Sequence, residues 1–112
     1  MKSKPYATVD TFSERVVKIA RAIPRGKVTT YGRIAKAAGA GGQAARSITG
    51  ILGKAYDRGV HDIPFHRIIY ADRSVWTNTL HRVERMKLYK QEGIEIDADG
   101  KVRYFHDHIW QF

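Results

Sequence analysis

Apolar positions recur along this chain at helical spacing, broken at intervals by short extended runs. Phe12, Val16, Ile19, Ala20 and Ile23 form one stripe, which Pro24 ends. Thr11-Phe12-Ser13-Glu14 has the capping-box pattern, so the spacing predicts a helix from about residue 11. Pro24-Arg25-Gly26-Lys27 reads as a turn and Val28-Thr29 as a short extended piece. Thr30 is placed to cap a second helix. Its apolar face is Tyr31, Ile34, Ala35 and Ala38, at i, i+3, i+4 and i+7, and Gly39 stops it. Ala40-Gly41-Gly42 is a tight turn, and a third helix runs from about Gln43 to Gly53. Helix, short turn and helix make a helix-turn-helix.

Further along, Arg67-Ile68-Ile69-Tyr70 reads as a strand and residues 71–78 as loop. Leu80, Val83, Met86 and Tyr89 mark a helix over 79–92 with a drifting stripe, stopped by Gly93. Ile94-Glu95-Ile96, Asp99-Gly100 and Lys101–Tyr104 suggest a small hairpin. Residues 1–9 look like a leader, and 105–112 are a tail with no assigned structure. There is no repeat. The expectation is one domain over 1–112, with its core at about 10–96, mainly α with small β elements and winged-helix-like.

Composition narrows the chemistry. The 112 residues contain no cysteine, which excludes disulfides, thiolate catalysis and cysteine-held metals. Five histidines form no recognisable metal set, and His106-Asp107-His108 is a weak tail motif. No metal or cofactor is expected. No apolar run approaches membrane-spanning length. The expected setting is cytoplasmic (nucleoid-associated) or nuclear, not secreted and not at a membrane.

The net charge of +9 lies in one half of the chain. Residues 1–60 hold 12 Lys/Arg against 3 Asp/Glu, and residues 61–112 hold 8 of each. The helix-turn-helix half thus suits a polyanion. In the third helix Ala44, Ala45, Ile48, Ile51 and Leu52 share a face, opposite Arg46, Gly50 and Gly53. Each glycine weakens a helix by roughly 1 kcal/mol relative to alanine. Two readings account for the pair: close approach of a DNA backbone, or helix–helix packing with Arg46 merely solvated. Arg33 and Lys36 add charge on the polar side of the second helix.

Pro64-Phe65-His66-Arg67 and the run Ile23 to Gly32 carry a resemblance. They are similar to the DNA-binding domain of O6-alkylguanine-DNA alkyltransferases, over roughly residues 10–96. That family has Pro-Cys-His-Arg here, and its cysteine accepts the alkyl group. Phe65 has no lone pair or acid–base group, so no methyltransferase activity is expected. The chain looks like an alkyltransferase-like protein, the cysteine-free branch, where tryptophan is the more usual residue at this place. The implied fold is the alkyltransferase C-terminal type. The implied function is non-enzymatic: minor-groove binding of duplex DNA, flipping of O6-alkylguanine into a pocket, and flagging of the site for nucleotide excision repair.

The resemblance also implies roles. Ala44-Ala45-Arg46 matches the family helix whose arginine fills the gap left by the flipped nucleotide. Tyr31 matches the tyrosine that presses on the 3′ phosphate, although a tyrosine at a helix start is otherwise often half-buried core. Thr29 and Thr30 would offer groups to phosphates. With Arg33, Gln43, Ser47 and Gly50 they complete the expected DNA contacts. The expected lesion pocket is Tyr31, Phe65, His66, Arg73 and Trp76. Phe65 has the alternative of ordinary core packing, and Trp76 that of packing down on the surface. His66, Arg67 and Glu92 are expected to brace the fold. The segment Tyr70-Ala71-Asp72-Arg73 departs from the family pattern, as does the stretch from Arg46 to Phe65. The expected partners are duplex DNA, preferably with alkylated guanine, and nucleotide excision repair proteins, bound by a monomer. Two other readings compete: a winged-helix regulator without lesion specificity, and a residual hydrolase or glycosylase using Asp62, His66 and Glu92.

Overall fold

Thr11 opens helix α1 (Phe12–Arg21). Its hydroxyl accepts the Glu14 N–H at 3.1 Å, and the Glu14 carboxylate accepts the Thr11 N–H at 2.8 Å. The structure is a computed structural model describing residues 11–40 and 44–112. Strand β1 (Thr29–Thr30) runs straight into helix α2 (Tyr31–Ala37), which the Thr30 hydroxyl caps by accepting the Arg33 N–H at 3.2 Å. Gly39, with φ +97°, takes the left-handed conformation that ends this helix. The expected leader at 1–9 and the turn residues Gly41-Gly42 lie outside the described residues, as does Gln43.

Helix α3 (Ala45–Asp57) is a turn longer than the spacing suggests, because Ala55 continues its buried row past Gly53. A single 3₁₀ turn (Phe65–Arg67) follows, then strand β2 (Ile68–Ile69). The strands pair in parallel, Thr29 with Ile68 and Thr30 with Ile69. Successive strand residues face opposite ways. Ile68 therefore joins the core between α1, α2 and α3, with Val16, Ile34, Ile48 and Leu52. Ile69 joins a second core with Val28, Tyr89, Ile94, Val102 and Phe105. This small sheet is the partition between the two.

Helix α4 (Arg82–Gln91) corrects the expected stripe. Steps of three residues drift by about 60° each, so Leu80, Val83, Met86 and Tyr89 cannot share a face. Tyr89 is buried and Met86 packs beside it, but Leu80 and Val83 are 81% and 80% exposed. The expected hairpin is present in minimal form: the Asp97 N–H donates to the Lys101 carbonyl at 2.8 Å and the Arg103 N–H to the Glu95 carbonyl at 2.9 Å. One antiparallel bridge joins Ile96 to Val102, and the Asp97 carboxylate accepts N–H bonds from Asp99 and Lys101.

The unassigned tail proves structural. Tyr104, with φ +54°, starts the short helix α5 (Phe105–His108). Phe105 is buried in the second core. The Val28 N–H then donates to the His108 carbonyl at 2.9 Å, and the Trp110 N–H donates to the Val28 carbonyl at 2.8 Å. The chain's end thus flanks β1 on the side away from β2. Among the described residues no helix is long and apolar enough to cross a membrane.

Phe105→Ala should cost about 3–5 kcal/mol, the usual loss for a buried aromatic. Urea unfolding of the variant measures it, and a loss under 1 kcal/mol would show that the tail adds little to the second core.

Candidate nucleic-acid interface

Helix α3 presents Arg46, Ser47, Thr49 and Gly50 to solvent. A Cβ built on Gly50 or Gly53 meets nothing within 4 Å. This removes helix–helix packing as the reason for these glycines, and leaves an open, nearly flat strip beside Arg46. The Ser47 hydroxyl donates to the Ala44 carbonyl at 2.7 Å, so it is partly committed within its own helix. Arg33 and Lys36 are exposed on α2. Gln43, expected among the contacts, lies outside the described residues.

Two expected phosphate contacts are corrected. Thr29 is fully buried, because pairing of β1 with β2 on one side and the tail on the other takes it inside. Thr30 is 9% exposed and its hydroxyl is spent on the α2 cap. Neither offers its side chain to an outside ligand.

Beside the α3 face lies a cavity of about 290 Å³, lined by Tyr31, Thr49, Phe65, Tyr70, Trp76 and Arg85. Tyr70 and Trp76 share the segment between β2 and α4, and the other four come from four different elements. Tyr31 opens α2, Thr49 is one turn past Arg46 on α3, and Phe65 opens the 3₁₀ turn. Tyr70 follows β2 and stacks toward Tyr31, with ring centres 5.7 Å apart. Trp76 comes from the loop before α4, and the Arg85 guanidinium sits 5.2 Å from its ring centre. Phe65 has one edge in the helical core and meets Tyr56 edge-on at 6.1 Å, so it is both packed and lining. Burial, and then the neighbouring Tyr70, raise the Tyr31 hydroxyl above the usual tyrosine range, so it stays protonated and able to donate. A larger depression of about 420 Å³ between Met86 and Arg103 shares no residue with this cavity.

The structure brings Tyr31, Phe65 and Trp76 together as expected, but not His66 or Arg73. The 3₁₀ turn points His66 away from Phe65, toward Glu92. Arg73 adopts φ +74°, and its guanidinium lies 4.6 Å over the Phe105 ring, in the other core. Arg85 supplies the cation instead. Sequence reasoning missed Thr49, Tyr70 and Arg85. Thr49 was visible as the residue three past Arg46 on the same face. Tyr70 was visible as the aromatic that follows two buried isoleucines. Nothing local marked Arg85.

Behind the cavity wall, His66, Arg67 and Glu92 form the expected network. The Glu92 side chain is 4% exposed and accepts from four donors. They are His66 Nε2 at 2.6 Å, Arg67 Nε at 3.0 Å, Arg67 Nη2 at 2.9 Å and the Gly26 N–H at 3.0 Å. Arg67 Nη1 donates in turn to the Ile23 carbonyl at 2.9 Å. Burial alone would raise the Glu92 pKa. Arg67, Gly26 and His66 overcome that and pull it from 4.5 down to about 2. Burial lowers the His66 pKa below its ordinary value, more than Glu92 raises it, so the imidazole is neutral and donates through Nε2.

The residues of the proposed hydrolase do not assemble. Asp62 is at the surface, paired with Arg21 at 2.8 Å, while His66 and Glu92 are engaged with each other. Among the described residues no cluster of three His, Cys, Asp or Glu could hold a metal. His108 Nδ1 pairs with the Gly26 carbonyl at 3.0 Å, which spends one end of the tail motif within the fold.

Residues 11–94 match the family described as 6-O-methylguanine DNA methyltransferase, DNA binding domain. A relative from Escherichia coli (strain K12), named DNA base-flipping protein, is 31% identical over 93 residues, 83% of this chain and 70% of its own. A protein of the same name from Vibrio parahaemolyticus serotype O3:K6 (strain AQ3810) is 30% identical over 103 residues, 92% of this chain and 99% of its own. Among solved structures, S. pombe Atl1 in complex with damaged DNA containing O6-carboxymethylguanine has a TM-score of 0.69 at 24% identity, covering 90% of this chain and 95% of that one. S. pombe ATL in complex with DNA gives 0.67 at 23% identity, with the same coverage. The shared fold is mostly helical, with a helix-turn-helix and a two-strand sheet.

The Glu92 network sets an acid limit on stability. A carboxylate held at about 2 in the fold and 4.5 outside it contributes fully above pH 4.5, and its contribution disappears as pH falls toward 2. Glu92→Gln should therefore be less stable than the parent by about 3 kcal/mol at neutral pH. That gap should close between pH 4.5 and pH 2 in urea titrations. A gap independent of pH would show that the carboxylate charge is not what matters.

Proposed function

The chain belongs to the 6-O-methylguanine DNA methyltransferase DNA-binding domain family, and on that premise we propose that it recognises alkylation damage in duplex DNA without repairing it. The observation that carries this reading is the aromatic cavity lined by Phe65, beside a helix face on which Gly50 and Gly53 leave open space next to Arg46. Alkyl transfer needs a nucleophile at the floor. Phe65 supplies none, and the chain has no cysteine to stand in.

In this reading α3 enters the minor groove, where Gly50 and Gly53 let the backbone approach and Arg46 takes the place of the extruded nucleotide. Minor-groove entry gives little sequence readout, which suits a protein that must find lesions anywhere. Tyr31 guides the 3′ phosphate while its ring forms one wall of the cavity. Extrusion costs a few kcal/mol, and stacking on an aromatic recovers about 1–3 kcal/mol per ring. Tyr31, Phe65, Tyr70 and Trp76 offer enough ring surface to offset it. Arg33 and Lys36 add sequence-independent phosphate contacts. The working unit is a monomeric single domain that includes the tail, and the bound lesion is handed to nucleotide excision repair. A regulator reading normal sequence fits less well, because the α3 face offers Arg46 and Thr49 amid small groups.

A mobility-shift titration should give tighter binding of an O6-methylguanine duplex than of plain duplex, and the affinity should fall steeply with salt. Equal affinities would remove the damage-sensing role. Arg46→Ala should abolish the lesion preference with the fold intact. Gly50→Ala separates function from stability. It should raise the unfolding free energy by up to about 1 kcal/mol while weakening DNA binding. A variant that binds normally would show that the glycine leaves room for nothing.

A further inference from the structure

Tyr89 has the largest fully buried side chain among the described residues, and it lies outside the cavity lining. Its ring packs in the second core and meets His66 edge-on, with ring centres 6.0 Å apart. Phenylalanine would fill that place and bring no polar atom in need of a partner. The Tyr89 hydroxyl is buried, and among the described residues Arg85 is the one side chain that hydrogen-bonds to it, in a loose geometry. Arg85 stands four residues earlier on α4, on the same side of the helix. Burial pushes the Tyr89 hydroxyl up to about 12, against the lowering effect of the Arg85 charge and hydrogen bond. The hydroxyl therefore stays protonated and accepts from the guanidinium.

Arg85 is half-buried, and its guanidinium lies 5.2 Å from the centre of the Trp76 ring. Trp76 belongs to the segment between β2 and α4, outside any helix or strand. Its place in the cavity lining thus depends on what holds its ring. A free arginine has many rotamers, and ordering it at the moment of binding costs entropy. A guanidinium held from behind has met that cost in folding.

We propose that Tyr89 is a positioning residue for the flipped base: its buried hydroxyl holds Arg85, and Arg85 holds Trp76, so that this wall of the cavity is set before DNA arrives. The proposal rests on the lesion-binding reading above and adds to it a residue that acts on the base without touching it. His66, Tyr89 and Arg85 then join the bracing at Glu92 to the wall at Trp76.

Tyr89→Phe keeps the ring and removes the hydroxyl, so urea unfolding should find it at least as stable as the parent. Fluorescence-anisotropy titrations then compare an O6-methylguanine duplex with plain duplex for the parent, Y89F, R85A and the double variant. Y89F should lower the lesion-over-plain affinity ratio roughly three- to tenfold. R85A should lower it at least as far, and the double variant should match R85A, because Tyr89 acts through Arg85. In W110F, where Trp76 is the sole tryptophan, adding Y89F should raise acrylamide quenching of the free protein. A ratio that Y89F or R85A leaves unchanged, or a Y89F loss that persists undiminished beside R85A, would overturn the proposal. So would an equal loss of affinity for both duplexes, which marks a merely structural role. If the parent shows no lesion preference, the lesion-binding reading falls and the quenching decides this one: unchanged access to Trp76 in Y89F overturns it.

Discussion

The buried carboxylate of Glu92 is the joint on which the site depends. It stands at the end of α4 and receives hydrogen bonds from the 3₁₀ turn, through His66 and Arg67, and from the turn after α1, through Gly26. Three segments remote in sequence are thereby fixed to one side chain. A carboxylate this buried is tolerable only because each oxygen is satisfied, and Arg67 neutralises it with a two-pronged contact. Turning His66 and Arg67 inward leaves Phe65 as the residue of that turn that can face the cavity. The His66 ring serves this joint as a fastener, 2.6 Å from the Glu92 carboxylate.

A second constraint is emptiness. Helices are normally filled out with side chains, and Gly50 and Gly53 forgo the helical stability alanine would give without any neighbour that requires it. The cavity beside them joins four aromatic rings and one guanidinium, which lies over Trp76. Folding and recognition therefore pull in different directions on one face of the molecule, while the two cores behind it are conventional.

Local signals were legible wherever a few neighbouring residues decide the outcome. The Thr11–Glu14 box, the Thr30 cap and the Gly39 stop all act within one helical turn, and their elements begin or end where the pattern places them. The Pro64–Arg67 motif carried the family and, with it, the His66–Arg67–Glu92 bracing. The errors have a common cause in long-range geometry. Thr29 resembles a surface hydroxyl until β2 and the tail close over it. Arg73 resembles a pocket cation until its left-handed backbone turns it onto Phe105, and Arg85 takes that place from a helix that buries little beyond Tyr89. The tail carries no periodicity, because its partners lie some eighty positions earlier.

Those last residues have an effect beyond their own packing. Val28 is gripped by the chain's end, and three residues later, past β1, comes Tyr31 in the cavity lining. Residues 108–110 are therefore tied, through Val28, to the strand that leads into the cavity wall. A displacement of residues 108–110 would be felt at the aromatic wall through one short strand.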